Sequence, residues 1–384
     1  MKETKKSKKK VLVICKDMGA SNAISVFLRY FNDPTVSFYI VCIRYAVEVF
    51  KRNGVATNEE YAHDPGQERV IDILDTYMPD AVFLGTSLDC WAERWCCVEA
   101  RKRDIYTLSF LDWWSNFAVR FSTPQTKDLA YLPSGIATLD DDACSGCVAD
   151  GIPETLLHRV GNPYWDYLAN KKEDILTLRL SARKKMGIGA KDVFVMIASS
   201  YIKNLNIDLG YDENDFWKAI TPLPEMTKKG VSVIWGLRSH PRDDNNQVKD
   251  MLKEHCADPV MMNDLTIQEA IASADYIIGM CSSVLLEAAL MGKKIASLQP
   301  GLRLDGARYL KIFDHIGVPK ITDPKKVKDA VERLINDELP GPDLTKMPFY
   351  VGGYSAHNAL SDLLSSVLKI PDTPISMRRE GRML

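Results

Sequence analysis

A chain of 384 residues exceeds what one hydrophobic core ordinarily organises, and its 46% hydrophobic and 26% charged residues supply apolar material for two cores, which excludes disorder for the bulk of the chain. A formal net charge of -2 creates no field that would draw a polyanion, so nucleic acid is not an expected partner. Nine cysteines, odd in number and scattered, argue for a reducing compartment and against a disulfide framework.

The sequence opens on Met1-Lys2-Glu3-Thr4-Lys5-Lys6-Ser7-Lys8-Lys9-Lys10, a basic block expected to stay solvated, with peripheral contact to anionic lipid as its alternative use. No signal-peptide pattern precedes the first apolar run, and no apolar stretch approaches the ~20 residues that span a bilayer. The expected location is therefore cytoplasmic, at the inner face of the membrane if the basic block engages lipid.

Short β-branched runs then alternate with longer amphipathic stretches, the pattern of an α/β fold with a mostly parallel sheet. Strands are expected at 11–15, 37–43, 81–85, 105–110 and 135–139, and helices at 67–77 and 91–101. A helix ending near Gly151 and a strand at 158–160 bring the first half to Gly161-Asn162-Pro163. Asp140-Asp141-Asp142 reads as a helix N-terminal cap. Cys144 and Cys147 have C-x-x-C spacing, but zinc needs further ligands and none stands at suitable spacing, so no metal is expected.

A second series follows a Lys-, Arg- and Leu-rich helix within 164–192. Its strands are expected at 193–198, 231–237, 276–278 and 294–298, and its helices at 244–255, 266–273, 283–291 and 324–336. The halves repeat in kind but not in sequence. A last helix at 356–368, after Gly352-Gly353, is expected to cross back to the first domain, with a mobile Pro- and Arg-containing tail beyond it. The expected domains are 1–163 and 164–352, with 353–384 as the crossing helix and tail.

In open α/β sheets ligands bind beyond the carboxyl ends of the strands. After the strand at 231–237 comes Arg238-Ser239-His240-Pro241-Arg242, whose cations and imidazole suit a phosphate, although a turn with solvated charges has the same composition. The strand ending at Gly279 leads through Met280-Cys281 to Ser282 and Ser283 at the start of an apolar helix. Free backbone N–H groups, two hydroxyls and the positive end of the helix dipole make that an anion site. Glu287 lies four residues past Ser283 on the same face, where a carboxylate accepts hydrogen bonds from ribose hydroxyls. The structural alternative is a plain N-cap serine with a glutamate near the first turn.

These two motifs together resemble the nucleotide-binding half of GT-B glycosyltransferases, and more narrowly bacterial surface-polysaccharide transferases, including those for CMP-sialic acid and related nonulosonic acids. UDP-N-acetylglucosamine 2-epimerases and glycerophosphotransferases share the scaffold. The resemblance implies two Rossmann-like domains facing each other across a cleft, and donor contacts from His240, Ser282, Ser283 and Glu287. Gly279 joins that donor set, and Arg242 is added on charge alone.

In such an architecture the acceptor enters from the N-terminal half. Its strand ends carry Lys16-Asp17-Met18-Gly19-Ala20-Ser21, read as a glycine-bearing turn, then Gly85-Thr86-Ser87-Leu88-Asp89 leading to Glu93, and Asp112-Trp113-Trp114-Ser115-Asn116 followed by Arg120. Carboxylate, amide, guanidinium and aromatic bulk are the mixture that sugar recognition uses, though Trp113 and Trp114 also read as core and Arg120 as an ion-pair partner. An inverting transfer needs a base, for which Asp112 is the first choice and Asp17 and Glu93 the reserves. Ser87, Asn116 and Arg120 are expected to bind acceptor.

The expected function is metal-independent glycosyl transfer from a nucleotide-sugar, a CMP-nonulosonate or a UDP-sugar, to a glycan, lipid-linked or protein hydroxyl in surface polysaccharide biosynthesis. The nucleotide-sugar is a co-substrate, and no further cofactor is expected. The alternatives are a UDP-N-acetylglucosamine 2-epimerase, which needs acid/base groups on both sides of a sugar ring and no acceptor, and a non-catalytic nucleotide-sugar-binding protein.

Overall fold

The computed structural model describes residues 8–170, 174–200, 202, 209–223, 227–240, 243–255, 257–303, 311–347 and 354–369. The Lys-rich segment 1–7, Pro241, Arg242 and the tail 370–384 lie outside the described residues. The chain divides into two compact units, Met1–Tyr167 with Pro348–Leu384, and Leu168–Met347.

The first unit runs β1 (Lys9–Cys15), α1 (Met18–Tyr30), β2 (Val36–Ile43), α2 (Tyr45–Arg52), β3 (Glu59–Tyr61), α3 (Gln67–Tyr77), β4 (Ala81–Leu84), α4 (Trp91–Arg101), β5 (Tyr106–Phe110), α5 (Phe117–Arg120), β6 (Gly135–Thr138), α6 (Asp141–Ala149) and β7 (Leu157–Arg159). All its strand pairings are parallel, in the order β3-β2-β1-β4-β5-β6-β7. Val11 to Cys15 and all of β4 are buried, as a parallel sheet covered on both faces requires. The segment read as a turn after β1 is instead the start of α1. That helix buries every residue from Ala20 to Leu28, including Ser21, Asn22 and Ser25, so the polar side chains that make its start resemble a turn lie inside the fold.

Helix α7 (Pro163–Asn170) contains the boundary between the units. The second unit runs α8 (Ile175–Met186), β8 (Val193–Ala198), α9 (Glu213–Ile220), β9 (Thr227–Lys228), β10 (Val231–Arg238), α10 (Asn245–Glu254), β11 (Val260–Met261), α11 (Ile267–Ser273), β12 (Tyr276–Gly279), α12 (Ser283–Leu290), β13 (Lys294–Leu298), α13 (Lys311–His315), β14 (Lys320–Ile321) and α14 (Val327–Ile335). Its parallel strands are ordered β11-β10-β8-β12-β13-β14, with β9 antiparallel on β10. Both units are Rossmann-like. Helix α15 (Ser355–Val367) belongs to the first unit, where the Ala356 N–H donates to Asp166 Oδ2 at 2.7 Å and His357 lies 5.1 Å from the Phe27 ring.

The strand order places one switch point in each sheet. In the first, β1 has β2 on one side and β4 on the other; in the second, β8 has β10 and β12. Successive crossovers leave in opposite directions there, which opens a crevice at the carboxyl ends of those strands. No helix among the described residues is long and apolar enough to cross a membrane.

Candidate functional site

At the first switch point, the loop after β4 meets the loop after β1. The Asp17 N–H donates to Ser87 Oγ at 3.0 Å. Ser87 in turn holds Glu93 of α4: its N–H donates to Oε2 at 2.7 Å and its hydroxyl pairs with Oε1 at 3.1 Å. Glu93 is only 4% exposed, and its carboxylate lies so near Gly85 that a Cβ there would stand 2.6 Å from Oε1. Burial pushes the Glu93 pKa up to about 8, against the lowering effect of the Ser87 donors and with the Asp17 charge adding to the rise. Glu93 therefore carries a proton at neutral pH.

Asp112, one strand further along, is held differently. Arg120 Nη1 donates to its Oδ1 at 2.9 Å and anchors itself on the Thr86 carbonyl at 2.8 Å and the Thr86 hydroxyl at 3.1 Å. The other oxygen, Oδ2, rests on Gly19 in the first turn of α1, where a Cβ would come within 1.7 Å of it. A guanidinium and the positive end of a helix thus both face this carboxylate. Gly19 serves close approach, within a helix.

Beside Asp112, Trp114 stacks on Trp165 with centroids 5.2 Å apart and meets Trp113 edge-on. Its indole N–H donates to Asp140, whose carboxylate also caps α6 by accepting from the Ala143 N–H at 2.8 Å. Burial raises the Asp140 pKa despite those donors. Asn116 sits in the left-handed region at φ 57°, as the N-cap residue of α5. Lys16, 6% exposed, donates to the Asp89 carbonyl at 2.8 Å and pairs with Asp64 at 3.2 Å. Burial pulls its pKa down, but Asp64 and Asp89 outweigh burial and leave it raised.

The second switch point is built from hydroxyls. Ser199 and Ser200 follow β8, Ser239 and His240 follow β10, and Ser282 caps α12 after β12, its Oγ accepting from the Val284 N–H at 3.3 Å. Asp243 ties two of these loops together, accepting from the His240 N–H at 2.7 Å and from the Ser199 hydroxyl at 3.1 Å. Beneath lies a buried polar chain: Tyr211 donates to Gln299, Gln299 to Ser297, and Ser297 to the Met280 carbonyl. Ser283 is exposed in the first turn of α12, and Glu287 is half-buried one turn on.

No protein-family model matches the chain, and no curated protein matches it in sequence. Solved structures do match along nearly its whole length. UDP-GlcNAc 2-epimerase from Neisseria meningitidis, bound to UDP-GlcNAc, is 14% identical with a TM-score of 0.65, over 94% of this chain and 100% of that one. S. aureus MnaA with UDP is 12% identical with a TM-score of 0.68, over 95% and 99%. Anabaena HepE with UDP-glucose is 14% identical with a TM-score of 0.59, over 94% and 96%. The fold is that of UDP-GlcNAc 2-epimerases.

In that frame the sequence-selected residues fall into two groups by unit. Asp17, Ser87, Glu93, Asp112, Asn116 and Arg120 lie in the first unit, at or just beyond the carboxyl ends of β1, β4 and β5. His240, Gly279, Ser282, Ser283 and Glu287 lie in the second, around β10 and β12. Arg242 is outside the described residues. Two selected residues have packing reasons of their own. Ser87 is 1% exposed and spends its polar atoms on Glu93 and Asp17. A Cβ on Gly279 would stand 2.8 Å from the Ala198 carbonyl, so glycine lets β12 lie against β8. Sequence reasoning named Thr86 within its loop without giving it a role, and missed Ser199, Ser200 and Asp243. The rule that sites follow strands would have found the two serines directly after β8.

Proposed function

We propose that the chain is a nucleotide-sugar enzyme of the UDP-GlcNAc 2-epimerase kind, inverting C2 of a UDP-linked 2-acetamido sugar without an acceptor. The observation that carries this reading is a pair of carboxyl groups in the first unit held in different surroundings, one buried and one against a guanidinium. Glu93 holds a proton by burial, while Asp112 faces a guanidinium and a helix start. Inverting C2 requires a base to remove a proton on one face and an acid to return one on the other.

The C2–H of such a sugar is not acidic by itself. Its removal is coupled to breaking the bond from C1 to the diphosphate oxygen: the C–H electrons form a C1=C2 double bond and UDP leaves as the anion. Re-addition of UDP at C1, with a proton delivered to the opposite face of C2, restores a nucleotide-sugar, and no atom is gained or lost. The leaving diphosphate calls for an anion site, the role assigned to Ser282, Ser283 and His240, with Glu287 on the ribose. Asp112 is the proposed base, and the half-buried Asp17, whose loop Ser87 and Glu93 hold in place, is the proposed acid that returns a proton to the opposite face. Matches along nearly the whole chain to structures solved with UDP and UDP-GlcNAc support this assignment.

The test is incubation with UDP-GlcNAc alone in deuterium oxide, followed by NMR. The expected result is the C2 epimer with deuterium at C2. A second reading, glycosyl transfer with Asp112 as the base on an acceptor hydroxyl, is favoured by the tryptophan cluster beside Asp112, a platform suited to a sugar ring. Release of UDP only when an acceptor is added, with no deuterium at C2, would replace the first reading by the second.

A further inference from the structure

Four buried side-chain polar atoms among the described residues have no hydrogen-bond partner: Ser21 Oγ, Arg52 Nε, Ser200 Oγ and Ser239 Oγ. The last two stand together at the second switch point. Ala198 pairs with Arg238 on one side and with Gly279 on the other, so the chain leaves β8, β10 and β12 at one level of the sheet. Ser239 is the first residue past β10 and Ser200 the second past β8, 7% and 4% exposed. The Cys281 thiol, one residue before the cap of α12, lies beside Ser200 without hydrogen-bond geometry, which places that hydroxyl next to the start of the helix.

A buried hydroxyl with no partner destabilises a fold, and alanine would fill either position without that cost. Two such hydroxyls at adjacent strand ends, next to a helix start whose N–H groups favour an anion, are donors awaiting an acceptor. The backbone around them is spoken for: the Ser239 N–H donates to Asn263 Oδ1 at 3.1 Å and the Ser199 N–H to the Arg238 carbonyl at 3.0 Å. Both hydroxyls are left over.

We infer that Ser200 and Ser239 donate their hydroxyl hydrogens to phosphate oxygens of the bound nucleotide, completing a ring of donors with the start of α12. This rests on the nucleotide-site reading of the second unit but not on epimerisation. The serines bind ligand and take no part in proton transfer.

The experiment measures binding of UDP and of uridine by calorimetry, and thermal unfolding without ligand, for the wild-type chain, S200A, S239A and the double variant. Each single variant is expected to weaken UDP about tenfold, as for a hydrogen bond to a charged group, while uridine binding stays unchanged and the ligand-free melting temperature is equal or higher. A lowered ligand-free melting temperature would show that the hydroxyls have structural partners and overturn the inference. So would unchanged UDP affinity in the double variant, equal losses for uridine and UDP, or a wild-type chain that binds no UDP. Serine-dependent UDP binding without epimer formation would leave this inference standing and remove the epimerase reading.

Discussion

The two switch points share a strand order and differ in chemistry. In the first unit the crevice is lined with carboxyl groups already committed to internal partners: Glu93 to Ser87, Asp112 to Arg120, Asp140 to Trp114 and Ala143. In the second it is lined with serine hydroxyls, two of them buried and unmatched, around a helix start. Preorganised carboxyl groups in contrasting surroundings suit proton transfer, whereas unmatched donors suit capture of an anion. One topology thus supplies two kinds of site, and the loop residues decide which.

The comparison breaks most sharply at Asp112. Asp112→Asn is expected to lower turnover by about 10²–10⁴-fold, the usual contribution of a positioned base, with UDP affinity unchanged because the nucleotide contacts are assigned to the other unit. Epimerisation near the wild-type rate would remove Asp112 from the mechanism. Gly19→Ala tests the same group without replacing it. The added methyl meets Asp112 Oδ2 and displaces it, so a loss of roughly 10²-fold is expected with UDP affinity unchanged.

Glu93→Gln addresses stability. With its folded pKa raised to about 8, Glu93 stabilises the fold most fully below the unfolded carboxyl range near 4.5. That contribution is lost as pH rises toward 8, by about 1.4 kcal/mol per pH unit. Urea unfolding at pH 5, 6.5 and 8 should show that decline in the wild-type chain and a flatter profile in Glu93→Gln; identical slopes would mean that Glu93 is ionised in the fold.

Much of the second unit was legible because its strands are continuous apolar runs ended by polar loops. Strand 193–198 and strand 294–298 agree with β8 and β13 to the residue, and the helix expected at 283–291 overruns α12 by one residue. Helix α1 was not legible, because Asp17, Gly19 and Ser21 at its start have the composition of a turn, and with it went the role of Gly19. Strands β11 and β14, of two residues each, are too short to carry a pattern, and α9 stands after a segment that lacks strand or helix periodicity.

The order of β-branched runs, the serines at the start of an apolar helix, and the carboxylates that follow strands are local facts, and the sequence alone determined them. Protonation and partnership are not local. Glu93 is pushed toward its protonated form because α4 carries it under Ser87 and against Gly85; Asp112 meets Arg120 and Gly19 because β5 and α1 bring them together; Ser200 and Ser239 are unmatched because the ends of adjacent strands bury them. Tertiary structure decided these, since a pKa or an unmet hydrogen bond depends on what surrounds a group in space.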